Sequence, residues 1–119
     1  MKLIIDVTVW DKIQLYLVEL NKDYTYSGTI DQLFDKLIKV LKKNKLTVED
    51  LTAIGVYTGA GSFTNIRIAA VVANTLGYLL KIPLYQFDIG LRPNWQTANK
   101  LKIIQPNYGR APNISKPRG

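Results

Sequence analysis

Between Ile66 and Leu80, apolar residues fall on every side of a helix. Ile66, Ile68, Ala69, Ala70, Val71, Val72, Ala73, Leu76, Tyr78, Leu79 and Leu80 leave no continuous polar stripe. A helix of this kind must be buried all round. One sheet covers only one side, so the pattern demands a second covering layer. Ala69, Ala73 and Gly77 stand at i, i+4 and i+8. Such a row of small side chains lets another helix axis approach closely. The burial argument favours Phe63, Ile66, Arg67, Ala69, Ala70, Ala73 and Gly77 as an interface to another helix. The competing reading is a well-packed core helix of an isolated monomer.

The flanking segments set the fold around this helix. Leu3–Ile5 is an apolar run, after which Val7 and Val9 alternate with Asp6 and Thr8, as in a buried strand. Ile13–Val18 is a second strand, and the polar break at residues 10–12 makes the two a hairpin. Tyr24–Tyr26 is a third strand, entered through a turn at residues 21–23. Thr29 opens a helix, with Gln32 at capping-box spacing. Ile30, Leu33, Phe34, Leu37, Ile38 and Leu41 form its apolar face, with acids early and lysines late. Asn44 stops it. Ala53–Tyr57 is a fourth strand, the long helix runs from about Thr64 to Leu80, and Pro83–Phe87 is a fifth strand.

The order β-β-β-α-β-α-β requires crossovers and a mixed sheet. It is that of the ribonuclease-H-like fold shared by actin-like domains. The domain is expected to span residues 1–90. Residues 91–119, rich in Pro and Asn, read as a basic tail, extended over 105–119; Lys100–Ile104 is its one apolar patch, suited to add a short strand or to pack on the domain.

Composition narrows the chemistry. The chain lacks Cys and His, which removes thiolate sites, the commonest general base and the commonest metal ligand together. No run of about 18 apolar residues spans a membrane, and the opening residues do not read as a signal peptide. A cytoplasmic protein is expected. Of the net charge of +7, residues 1–88 hold 10 Lys and Arg and all nine acids, whereas residues 89–119 hold six Lys and Arg and no acid. The tail suits a polyanion such as RNA; a solubilising terminus fits equally.

Gly59-Ala60-Gly61-Ser62 joins the fourth strand to the long helix. Glycine permits positive φ there, and the helix N-terminus offers free amides to a phosphate. No Lys occupies the Walker position, and Lys81 stands where a dinucleotide fold has its ribose-binding acid. Gly59, Gly61 and Ser62 are therefore a weak cofactor site beside the plainer reading of a tight connection capped by Ser62 or Thr64.

The run Gly59-Ala60-Gly61-Ser62-Phe63-Thr64-Asn65-Ile66-Arg67-Ile68 resembles the GPGSFTGLRIG signature of the TsaB (YeaZ-like) family. Leu3-Ile4-Ile5-Asp6-Val7-Thr8 is similar to the family's opening strand and turn. Pro106-Asn107-Tyr108-Gly109-Arg110 is similar to its closing Pro-x-Tyr-x-Arg. Ala60 stands in place of Pro, and Asn65 and Ala69 in place of Gly. Family members carry a second domain of similar fold, so the chain looks like a reduced form.

The resemblance implies a non-catalytic dimerisation subunit for synthesis of threonylcarbamoyladenosine, at adenosine 37 of tRNA. The implied partners are a TsaD-like catalytic subunit, which holds the metal, and a TsaE-like ATPase. The chain alone would homodimerise through the same helices. It would have no catalytic residue, metal or cofactor of its own, with ATP or ADP confined to the interface with partner subunits. Arg67 would contact the partner or a nucleotide there, or else pair within the chain with Asp6 or Asp88. Tyr108 and Arg110 would dock the tail on a partner or RNA; stacking of Tyr108 on its own domain fits equally.

A rival in the same fold is a metal-dependent nuclease, which needs several carboxylates converging at the strand ends. Asp6 and Asp88 are suitably placed, but the fourth strand ends in Thr58. Asp31 and Asp35 stand too early on their helix. This rival is the weaker reading.

Overall fold

The computed structural model describes residues 1–58 and 63–87, with Phe63 and residues 99–101 described by their backbone. Six strands form one sheet in the order β3-β2-β1-β4-β5-β6. They are β1 (Lys2–Asp6), β2 (Lys12–Leu17), β3 (Lys22–Ser27), β4 (Ala53–Tyr57), β5 (Leu84–Phe87) and β6 (Asn99–Leu101). β1, β2 and β3 are an antiparallel meander, with Ile5 opposite Leu15 and Leu15 opposite Tyr24. β4 runs parallel to both β1 and β5. Parallel neighbours require crossovers, which α1 (Leu33–Lys43) and α2 (Phe63–Leu80) supply. β6 returns antiparallel to β5. The sheet thus reaches past residue 90, through the start of the apolar patch at Lys100–Ile104.

Central strands buried on both faces read as unbroken apolar runs. Leu3, Ile4 and Ile5 are all buried, as is every residue of β4. β2 lies nearer the edge and alternates, burying Ile13, Leu15 and Leu17. One face of the sheet (Leu3, Ile5, Leu15, Leu17, Val56 and Leu84 among others) forms a single core with α1 and α2. α1 contributes Leu33, Leu37, Val40 and Leu41, and α2 contributes Ala69, Ala70, Ala73 and Leu76. The opposite face carries a smaller cluster of Ile4, Tyr57 and Phe87, with Tyr16, Val18 and Tyr85 against it. The Tyr57 and Phe87 rings meet at 5.7 Å between centroids, tilted by 50°.

The ends of the elements differ from the sequence expectation in two places. Thr29 does not cap a helix through its side chain; its hydroxyl bonds the Asp31 carboxylate instead, and a 3-10 turn, Ile30–Gln32, precedes α1. The turn before β3 closes at Asn21, whose φ is 51° and whose N–H donates to Val18 O. β3 is consequently longer than Tyr24–Tyr26.

Both helices stop in the same way. Lys45 and Lys81 each have φ of 58°, and the next N–H reaches back five residues, Leu46 to Leu41 O and Ile82 to Gly77 O. This is the Schellman stop, with lysine where glycine is commonest. Asn44 is the C-cap of α1, as its sequence position suggested.

Candidate functional site

α2 has two unlike sides. Toward the sheet, Ile66, Ala69, Ala70 and Ala73 are 1, 0, 2 and 0% exposed. A Cβ placed on Gly77 would stand 2.8 Å from Leu84 Cδ2. The small-residue row therefore does what small residues do, but for the chain's own β4 and β5. This corrects the sequence reading, which offered Ile66, Ala69, Ala70, Ala73 and Gly77 to a second subunit. Their surface is already covered within the fold.

The outward side of α2 carries Val71, Tyr78 and Leu79, exposed by 62, 83 and 67%. Thr64, Arg67 and Thr75 are exposed on the same side. The Thr75 hydroxyl donates to Val71 O at 2.8 Å, satisfying itself within the helix. Val71, Thr75, Tyr78 and Leu79 stand at i, i+4, i+7 and i+8, a surface arc in which large apolar side chains meet water. Phe34 of α1 is a further exposed apolar residue, at 46%. The sequence reading missed this arc because it followed the smallest residues. Thr64, Arg67 and Thr75 were the available signal, since three of the helix's polar side chains fall together on the side that water reaches, although Asn65 is buried.

The first turn of α2 is tied to the β1–β2 connection. Asn65 is 4% exposed, and its Nδ2 donates to Trp10 O at 2.7 Å and to Val7 O at 3.4 Å. Asp6 closes β1 by accepting from the Thr8 N–H at 3.0 Å and the Thr8 hydroxyl at 2.6 Å. The Asp6 carboxylate is thus engaged in a local turn. Thr58, just past the end of β4, is buried, and its hydroxyl has no partner. Trp10, at the tip of the connection, is 70% exposed.

Gly59, Gly61, Ser62, Asp88, Tyr108 and Arg110 lie outside the described residues, as does the side chain of Phe63. Among the described residues no three carboxylates gather to hold a metal ion. Among them, too, no helix is long and apolar enough to cross a membrane.

A mixed sheet with two crossover helices on one face defines the actin-like, ribonuclease-H-like class. A solved structure, YeaZ from Pseudomonas aeruginosa, superposes with a TM-score of 0.65 at 20% identity, covering 73% of this chain and 43% of that one. A second, titled an uncharacterised protein with similarity to peptidase YeaZ from Pseudomonas aeruginosa, gives a TM-score of 0.63 at 20% identity, covering 73% and 42%. In sequence, residues 20–88 match the family model described as TsaD: tRNA N6-adenosine threonylcarbamoyltransferase. The tRNA threonylcarbamoyladenosine biosynthesis protein TsaB of Buchnera aphidicola subsp. Schizaphis graminum is 30% identical along a 103-residue alignment that covers 82% of this chain and 47% of that protein. The chain belongs to this family, as a member of the TsaB type. It spans about half the length of the relatives it matches.

Proposed function

We propose that this chain is a non-catalytic subunit in the synthesis of threonylcarbamoyladenosine in tRNA, and that it binds a TsaD-like catalytic subunit through the outer side of α2. The observation that carries the reading is the arc of Val71, Tyr78 and Leu79, large apolar groups held in water by a rigid helix. Tyrosine with apolar neighbours is typical of the anchors that dominate interface energy. Arg67 stands on the same side, where it would contact the partner or a nucleotide held between the two chains. The chain itself would contribute no metal ligand and no catalytic group. A tRNA-modifying role goes with a cytoplasmic location. A TsaE-like ATPase would join through the assembled pair, and the isolated chain would cover the same arc by pairing with a second copy.

The test is co-elution of the purified chain with the TsaD-like protein of its source cell, followed by light scattering. The expected result is a one-to-one complex that replaces a homodimer. A homodimer that persists unchanged beside the TsaD-like protein would overturn the reading.

The metal-dependent nuclease is not supported by the placement of its carboxylates. Asp6 is bound into a turn, and Asp31 and Asp35 are exposed on or beside α1.

A further inference from the structure

α1 and the turn after it carry a run of lysines that no ion pair among the described residues answers. From Lys36 to Val48 there are five lysines, at positions 36, 39, 42, 43 and 45, and no Asp or Glu. Among the described residues none of the five lysines takes part in a salt bridge. The helix dipole accounts for Lys42 and Lys43 in the last turn. It does not account for Lys36 and Lys39 in mid-helix, nor for Lys45 beyond the end.

Two of these groups are held in place by rings of β3. Lys36 Nζ lies 5.0 Å over the Tyr26 ring, and Lys43 Nζ lies 5.6 Å over the Tyr24 ring. Lys22 of β3 extends the row, donating from Nζ to Asn44 Oδ1 at 3.2 Å. Asn44 in turn donates from Nδ2 to Tyr24 Oη at 3.0 Å and to Val40 O at 2.9 Å. The result is a row of three ammonium groups, those of Lys22, Lys36 and Lys43, held along the edge strand, with the exposed Lys39, Lys42 and Lys45 on the same stretch of chain. Since β3 is one end of the sheet and α2 packs on β4 and β5, the band lies on the far flank of α1 from α2.

We infer that this lysine band is a docking surface for the phosphodiester backbone of RNA. The inference rests on the proposed role in tRNA modification, which identifies the polyanion as tRNA rather than an anionic membrane or an acidic protein. Tyr24 and Tyr26 have lysines over their rings, so they are not free to stack on bases. Contacts limited to phosphates fix position without reading sequence. Binding is therefore expected to be steep in salt and indifferent to sequence.

The experiment uses the full chain and a fluorescent unmodified tRNA transcript, with anisotropy followed from 50 to 200 mM KCl. The variant is Lys39→Glu/Lys42→Glu/Lys45→Glu, three exposed positions that leave the lysines over the rings intact. At 50 mM KCl the Kd is expected to rise at least tenfold. The slope of log Kd against log salt is expected to fall by about 2, at roughly 0.7–0.9 per lost phosphate contact. An unrelated hairpin RNA of equal length should lose the same affinity. Should the charge reversals unfold the chain, Lys39→Gln/Lys42→Gln is the substitute, with a slope change of about 1.5.

The inference is overturned by an unchanged Kd and slope in a folded variant, or by a wild-type chain without salt-dependent RNA binding. It is also overturned if the variant loses phosphatidylserine vesicles but keeps tRNA. The same variant should still co-elute with the TsaD-like protein, so failure of the subunit reading and failure of the RNA surface give different results.

Discussion

α1 and α2 pack on the same side of the same sheet, yet they finish the problem of burial differently. α1 buries Leu33, Leu37, Val40 and Leu41 and presents Asp35, Lys39 and Lys42 to water. α2 buries an inner row of small residues and presents Val71, Tyr78 and Leu79. A helix of the first kind is complete within its own chain. One of the second kind has spent its small side chains on close approach to the sheet, leaving its bulk outside. The contrast teaches that small residues mark where backbones come near each other, and say nothing of whose backbones they are.

The strongest way to break this comparison is Ala73→Arg. Ala73 is wholly buried against the sheet, so the substitution overpacks the core and buries an unpaired charge. A loss on the order of 3–5 kcal/mol is expected, read as unfolding or insolubility of the isolated chain. A folded variant that has merely lost its partner would return the small-residue row to the interface.

Tyr78→Ser/Leu79→Ser sharpens the other half of the contrast. These exposed positions should move urea stability by no more than about 0.5 kcal/mol. Affinity for the TsaD-like protein should nevertheless fall by more than tenfold, as expected for central apolar anchors. Titration calorimetry of the pair checks the second outcome, and equal affinity would show that the outer arc is ordinary surface.

The two helices should behave alike where they end alike. Lys45→Gly and Lys81→Gly each relieve a left-handed conformation that costs a non-glycine residue roughly 1–2 kcal/mol. Part of that gain is returned through the more flexible unfolded chain. A stabilisation of about 0.5–1 kcal/mol is expected at each site by urea denaturation. A loss at Lys45 alone would mean that its charge, and not its backbone, matters to the fold.

The smallest effect lies outside both helices and sets the scale for surface charge. Partial burial pushes the Glu19 carboxyl up, but hydrogen bonds from the Lys2 N–H at 2.8 Å and Lys2 Nζ at 3.3 Å outweigh it and bring it below its ordinary value. A carboxylate lowered in the folded state stabilises above its unfolded pKa, and that contribution is lost as pH falls through the folded one. Both side chains of the pair are more than a third exposed, so solvent screening leaves only about a few tenths of a kcal/mol. Glu19→Gln should therefore differ slightly from the wild type at pH 7 and merge with it near pH 3 in thermal melts.

Much of the fold was legible along the chain. β4 lies at Ala53–Tyr57 as the apolar run between polar flanks indicated, and α2 begins within one residue of its expected start. Periodicity reads such elements because burial on one or both faces leaves its period in the sequence. The cap at Thr29 was not legible, because Ser and Thr hydroxyls have several local partners and here the Asp31 carboxylate wins over a backbone amide. Nor were the left-handed lysines at 45 and 81, since nothing in a lysine announces positive φ.

By itself the sequence determined the order of strands and helices, the mixed sheet that this order requires, the absence of His and Cys chemistry, and the excess of apolar surface on α2. Only the tertiary structure decided which side of α2 keeps that excess and which flank of α1 keeps its uncompensated lysines. Helical spacing records relative angles about an axis, and an axis can be rolled. What stops the roll is contact with Leu84 beneath Gly77 and with the Tyr24 and Tyr26 rings beneath Lys43 and Lys36. Those contacts join a helix to a strand, so they exist only once the sheet has formed.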